Sequence, residues 1–350
     1  MTLTPRRRVI YSCGGDKDRR SELVRSIAAF LALSFMSLPA LAQEQVKIGI
    51  GFGLAFLPVY ICEDLKLVEK YAKAAHLEVK ANYQRRLGSG PMLEAIKSGS
   101  VDIAPFGVAP LLSAWDQDKG TPQQIVIVSG MTTMPLTLVS DRPNVAAVSD
   151  LGPTDRIAMP SLTAPQMFVL QMQAAKSFNK ANRFDDQVVA LPPADALSAM
   201  IDGAGMVTAY FASPPYTQLA LRGGKVHQVL ASADVFGGKG SFLVMAATQA
   251  YVDAHSQVPD LIDKAMDEAA RIIHDDPRRA TQIYLTHEPS EALSGPVIES
   301  VLREIKDEFG AGIYSVKAYA DFMVKQGVLK EAPRSWRYIV APSMMNWPRS

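Results

Sequence analysis

Arg85 and Arg86 stand just ahead of the stretch Gly88-Ser89-Gly90-Pro91. Proline suits the first turn of a helix, so the glycines and the serine mark a helix start. Free N–H groups and the helix dipole at such a start favour an anionic oxygen. A guanidinium beside it offers a fork of donors matched to carboxylate or sulfonate. Arg86, Gly88 and Ser89 are therefore candidates for oxyanion capture, with surface solvation as the alternative for either arginine. A second helix start lies in Pro160-Ser161-Leu162-Thr163-Ala164-Pro165-Gln166. Ser161 or Thr163 can cap the helix that opens near Pro165 and still face a ligand.

Other candidates sit where short apolar runs end. Gly51 and Gly53 let the backbone approach a ligand closely, and they bring Phe52, Gly53, Leu54 and Phe56 to the same place. The spacing of Gly49, Gly51 and Gly53 does not fit the dinucleotide fingerprint G-x-G-x-x-G, and no acidic partner is placed for it. Phe106 and Gly107 end one run, and Tyr210, Phe211 and Ser213 end another. Their aromatic rings either line a pocket or seal a core; for Phe106 and Phe211, core packing explains the position at least as well. Phe236 precedes Gly237-Gly238-Lys239-Gly240, a glycine pattern suited to the large backbone changes of a hinge.

Nothing in the chain is arranged for catalysis. His76, His227, His255, His274 and His287 are scattered over element ends, and none pairs with cysteine or carboxylate at metal-ligand spacing. There is no G-x-S-x-G elbow, no phosphate loop and no H-E-x-x-H helix. The acidic run from Asp263 to Ala280 has charges on one face and apolar residues on the other, as a solvated helix does. No cofactor and no metal are implied.

The elements that must position these residues alternate between strand and helix. A strand is expected over 46–52, a helix over 57–75, a strand over 77–84, a helix after Gly88, and strands over 101–107 and 123–130. Residues 136–141 continue extended. The plan then restarts, with a strand over 156–159, a helix, and a last strand over 225–233. Leu93, Ala95 and Gly99 match Leu197, Ala199 and Gly203; after one inserted residue, Ala104, Phe106 and Pro110 match Ala209, Phe211 and Pro215. Residues 46–130 and 156–233 are thus two copies of one βαβαβ plan. In open α/β sheets, ligands lie outside the carboxyl ends of the strands. Two such edges facing each other make a cleft that grips a small molecule from both sides. The expected division is 43–138 plus 241–350 for a first lobe carrying the C-terminal helices, and 139–240 for a second lobe with hinge segments. Chain crossings are placed near 138–145 and 235–242.

Composition fits this plan. Hydrophobic residues make up 48% and charged ones 20%, so a packed protein is expected and disorder is not. The formal net charge of +1 mixes two populations. Residues 1–42 hold seven basic and three acidic groups, which leaves 29 basic against 32 acidic groups in the rest. A slightly acidic body argues against a nucleic-acid partner. Within 1–42, Arg19, Arg20 and Arg25 precede an apolar run that ends in Ala40-Leu41-Ala42. That order is a signal peptide, with Gln43 as the mature start and the periplasm as destination. Cys13 leaves with the leader. Cys62 then stands alone among apolar neighbours, as a buried small hydrophobe rather than a nucleophile.

The signal peptide together with GSGPMLEAIKSGSVDIAPFG, IAMPSLTAPQ, LPPADALSAM, YFASPPY and SADVFGG resembles the periplasmic substrate-binding proteins of ABC importers. The group is the nitrate/sulfonate/taurine type, which includes binders of thiamine-pyrimidine precursors. The resemblance covers residues 45–310 and rests on the order of these stretches. It implies a type II periplasmic-binding-protein fold of two hinged α/β lobes. It also implies a monomeric receptor that delivers its ligand to the permease and ATPase subunits of the inner membrane. In that family the loop holding Ser161 and Thr163 contacts ligand. A small organic anion would use both the oxyanion sites and the aromatic wall of Phe52, Phe56, Phe106, Tyr210, Phe211 and Tyr216; bare nitrate could not use the wall. The alternatives are a thiamine-pyrimidine synthase on the same fold and a binding protein that feeds a membrane sensor. The synthase works in the cytosol and carries a CCCFC motif, whereas this chain has an export leader and one mature cysteine. The last forty residues, including SWRYIVAPSMMNWPRS, match no motif.

Overall fold

Two five-stranded sheets organise the chain, and each is built to the same order. The first holds β1 (Glu44–Ile50), β2 (Val79–Arg85), β3 (Ile103–Gly107), β4 (Ile125–Thr132) and, far along the chain, β10 (Leu243–Thr248). Its order is β2-β1-β3-β10-β4. The second holds β5 (Thr137–Ser140), β6 (Ile157–Met159), β7 (Val188–Ala190), β8 (Ala209–Ala212) and β9 (His227–Ala231), in the order β7-β6-β8-β5-β9. In each sheet the first three strands run parallel. The strand arriving from the other sheet slots in antiparallel beside the third. The repeat read from the sequence is thus a repeat of topology. The computed structural model describes residue 8 and residues 43–86, 88–202, 205–290 and 293–344. The expected signal peptide and its cleavage site lie outside the described residues.

The first crossing differs from its expected place at 138–145. β4 ends at Thr132 and β5 already pairs in the second sheet from Thr137, so the chain crosses over 133–136. The run Thr137–Ser140 reads as an extended strand that suits either sheet; only its ladder to β8 and β9 assigns it. Between β9 and β10 the chain returns, through a short helix and the glycines at 237–240.

Helices cover both faces of the first sheet, which is why β3, β4 and β10 are buried at every residue. One face takes α1 (Leu57–Leu65), α2 (Leu67–Ala74), and later α10 (Val258–Asp275), α11 (Pro277–His287) and α12 (Gly295–Ile305). The other takes α3 (Ser89–Lys97), α4 (Val108–Asp118) and α13 (Val316–Lys325). The second sheet carries α5 (Pro165–Phe178), α6 (Pro193–Ile201), α7 (Tyr216–Arg222) and α8 (Ser232–Phe236), while α9 (Gln249–Ala254) follows β10. Phe106 and Trp115 of the first lobe, Phe184 and Phe211 of the second, and Tyr319 of α13 share one core cluster.

The helix expected over 57–75 is broken at Lys66. That residue adopts φ 50°, ψ 47°, and its N–H closes α1 onto the carbonyl of Cys62. The break redirects the chain so that Leu67, Val68 and Ala72 reach the core. Cys62 is fully buried, its Sγ donating to the Ala265 carbonyl, and burial pushes the thiol pKa up. The acidic run also divides, at Asp276, whose side chain accepts from Arg279 N and caps α11. The unplaced C-terminal segment covers the edge of the first sheet. Val340 bridges Ile127 of edge strand β4, and Ala341 N donates to the Ile127 carbonyl at 2.8 Å. An edge strand covered in this way is closed to other chains.

Candidate ligand-binding cleft

The parallel strands bring their carboxyl ends to one edge of each sheet: Ile50, Arg85 and Gly107 in the first, Met159, Ala190 and Ala212 in the second. Each is followed by a turn into a helix. The two edges meet at Gly107, which opens α4, and Pro165, which opens α5. A Cβ on Gly107 would stand 3.0 Å from Pro165 Cγ, so the strand end of one lobe touches the helix start of the other. Nearby, α7 reaches from the second lobe to the first. Tyr216 and Leu219 pack on the first-lobe core, Gln218 Nε2 donates to Glu304 Oε1 at 3.1 Å, and Arg222 Nη2 donates to Ser300 Oγ at 3.0 Å. In α/β sheets such strand-end edges are where ligands are held.

No family model and no curated protein sequence matches the chain. Solved structures do match. The periplasmic aliphatic sulphonate binding protein SsuA from Escherichia coli is 20% identical, with a TM-score of 0.64 over 85% of this chain and 92% of that one. This chain has the periplasmic-binding-protein fold. The alkanesulfonate-binding protein SsuA from Xanthomonas axonopodis pv. citri, bound to MOPS, is 19% identical, with a TM-score of 0.63 over 85% of this chain and 97% of that one. The periplasmic nitrate-binding protein NrtA from Synechocystis PCC 6803 is 14% identical, with a TM-score of 0.57 over 85% and 84%. The type II form of this fold is the one expected from the sequence.

Within this binding-protein fold, the residues singled out in the sequence fall into three groups. The first lines the β1 edge. Phe52 is 50% exposed. Gly53 takes φ 102° and donates its N–H to Glu288 Oε1 at 2.5 Å. Leu54 is core, and the half-buried Phe56 lays its ring over Gly51, where a Cβ would fall 2.3 Å from it. Gly88, at φ 86°, and Ser89 open α3 in the open. Arg86 folds back on its own strand, donating to Gln84 Oε1 at 3.0 Å and to the Arg85 carbonyl at 2.9 Å.

The second group lies where the lobes touch. Gly107 meets Pro165, and Ser161 and Thr163 sit just ahead of it with their hydroxyls 3.4 Å apart. Neither caps α5: the N-cap is Ala164, with no side-chain cap, so the hydroxyls and the first N–H groups of a 14-residue helix stay uncommitted to each other. Ser213 supplies a backbone carbonyl to Thr217 N at the start of α7.

The third group is packed away. Phe106 and Phe211 are in the shared core, and Tyr210 faces the outer core of the second lobe. Burial pushes the Tyr210 hydroxyl pKa far up. Phe236 packs on Tyr319, ring centroids 4.9 Å apart, and over Gly240.

Sequence reading missed a cluster around Tyr60. Its hydroxyl bonds the Gly51 carbonyl and Glu288 Oε1, and Tyr284 reaches Glu288 Oε2 at 3.4 Å. Burial first, and then the Glu288 carboxylate, raise the Tyr60 pKa. His287 stacks on Tyr60 at 4.6 Å and 3°. Arg85 Nη2 approaches His287 Nδ1 at 2.9 Å, and His287 Nε2 approaches Asp64 Oδ1 at 2.8 Å. A guanidinium only donates, so Nδ1 accepts and Nε2 carries the proton given to Asp64. Glu288 also reaches towards the second lobe, where its charge adds to burial in raising the Tyr216 pKa. Nothing local predicts this cluster, because Tyr60, Arg85 and His287 come from three separate elements. Among the described residues, no group of three or more His, Cys, Asp or Glu side chains could hold a metal ion. A cavity of about 390 Å³ opens elsewhere, between Ser315 and Trp336 of the C-terminal segment.

Proposed function

We propose that the chain is the solute-binding receptor of an ABC importer. It captures a small organic anion, of sulfonate, carboxylate or pyrimidine type, in the inter-lobe cleft and hands it on unchanged. In this reading it is exported by the N-terminal signal peptide, is mature from Gln43, and works in the periplasm as a monomer. Its partners are the permease and ATPase subunits of the inner membrane. The observation that supports the reading is the meeting of Gly107 with Pro165, which brings the starts of α4 and α5 together where the strand ends of the two sheets come close. The uncapped start of α5, with Ser161 and Thr163 beside it, supplies N–H groups and hydroxyls suited to an anionic oxygen. The half-exposed ring of Phe52 supplies apolar wall. The E. coli and Xanthomonas structures of similar fold are sulfonate binders, which supports the same ligand class here.

The test is a thermal-shift screen of the chain from Gln43 with alkyl sulfonates, taurine, nitrate, aromatic carboxylates and thiamine precursors. A ligand that binds only the folded state raises Tm with its concentration over its Kd. One clear shift, confirmed by calorimetry with the ligand recovered intact, is the expected result. Conversion of the ligand, or no shift from any organic anion, would overturn the proposal.

A further inference from the structure

We infer that Arg85, rather than its neighbour Arg86, takes the anionic group of the ligand, and that His287 and Asp64 position it; the inference rests on the cleft reading above. Arg85 is the last residue of β2, paired in register with Ile50, so it stands level with the Gly51–Gly53 turn at the cleft edge. Its side chain is exposed there. The guanidinium lies 5.4 Å from the centroid of Phe52 and 5.1 Å from that of Tyr60. A flat cation held on aromatic faces in this way, with one donor turned to Tyr60 and one to His287, keeps its other three N–H groups for a planar or tetrahedral oxyanion.

The charge is also left unanswered by the protein. Three carboxylates stand one side chain away, and none of them pairs with Arg85; Glu63 Oε2 lies 3.8 Å from His287 Nδ1, the atom that Arg85 Nη2 approaches. Glu288 bonds Gly53 N–H and the Tyr60 hydroxyl, and that hydroxyl stands between it and Arg85, 3.5 Å from Arg85 Nη1. Asp64 bonds His287 Nε2. Among the described residues, Arg85 makes no ion pair, and one of its donors goes to the neutral acceptor Nδ1 of His287. The result is a guanidinium fixed in place but not neutralised. Holding it before the ligand arrives removes the ordering cost that a free arginine would add to binding. Phe52, half exposed beside it, offers a face for the apolar body carrying the anion. Arg86 gives two of its five N–H donors to Gln84 and the Arg85 carbonyl, and among the described residues its guanidinium lies over no aromatic ring as that of Arg85 does.

Calorimetry decides the matter, with methanesulfonate, hexanesulfonate, taurine and benzoate as probes against the chain from Gln43. Whichever probe binds the parent best should be weakened about tenfold or more by Arg85→Ala and hardly at all by Arg86→Ala. His287→Ala should weaken it too. His287→Gln, which keeps an acceptor for Arg85 and a donor for Asp64, should restore most of the loss; a merely structural histidine would not be rescued in this way. Unliganded melting temperatures check that the variants fold, and Arg85→Gln, of similar bulk without charge, replaces the alanine variant if it does not. Parent-like affinity in the Arg85 variant overturns this inference and leaves the receptor reading standing. Failure of the parent to bind any probe overturns both.

Discussion

Glu288 accepts the backbone N–H of Gly53 at 2.5 Å across 235 residues of sequence. It ties the loop after α11 to the turn that follows β1, and its other contacts, with Tyr60 and Tyr284, make it the hub of the first-lobe edge. Glu288→Ala leaves a buried tyrosine hydroxyl and a glycine N–H short of an acceptor. Such a loss costs about 1–3 kcal/mol. A lower Tm, by several degrees in differential scanning calorimetry, is the expected outcome, with Glu288→Gln falling less.

Asp263 gives the fold a pH dependence. Its carboxyl is pushed up to about 7, by burial first and by Asp267 and Asp260 in addition, while the Ser129 hydroxyl, bonded to it at 2.8 Å, works the other way. The folded chain therefore holds this proton more tightly than the unfolded chain. Stability from this group is greatest below the ordinary carboxylate pKa and falls as pH rises through about 7. Asp263→Asn should melt higher than the parent by a few degrees at pH 8, with the advantage narrowing as pH falls towards about 4. Melting curves across that range check it.

A Cβ at 107 would stand 3.0 Å from Pro165 Cγ, tighter than ordinary contact, so a branched side chain there presses on the other lobe. Gly107→Val should lower affinity for a bound sulfonate several-fold or more and reduce the ligand-induced shrinkage seen by small-angle X-ray scattering. Closure unaffected by the valine would refute a contact-limited cleft.

Cys62 is fully buried and its thiol pKa is raised by that burial, so it is a poor nucleophile in the folded chain. Iodoacetamide should leave it unmodified under native conditions and alkylate it completely in denaturant, as intact-mass spectrometry would show.

Much of the fold was legible because it rests on local pattern. Apolar runs ended by glycine gave the strands, and the match of Leu93–Pro110 with Leu197–Pro215 revealed the repeat. The break at Lys66 was not legible, since no glycine or proline marks it and the left-handed turn is held by packing on both sides. The first crossing was misplaced because the short extended run Thr137–Ser140 reads the same in either sheet, and only its pairing with β8 and β9 assigns it.

The site divides in the same way. Sequence by itself determined where chain direction changes, and so which loops could face a ligand: 51–56, 85–91, 105–108 and 160–166. Neighbouring residues in a strand point to opposite faces, so the choice between Arg85 and Arg86 depended on register and on what lay across from each. The partners on which the proposed choice of Arg85 rests, His287, Asp64 and Glu288, come from other helices and a loop. Propensity and pattern act over a few residues. A hydrogen bond between residues some two hundred positions apart exists only once the sheets and helices have packed, and only the tertiary structure decided it.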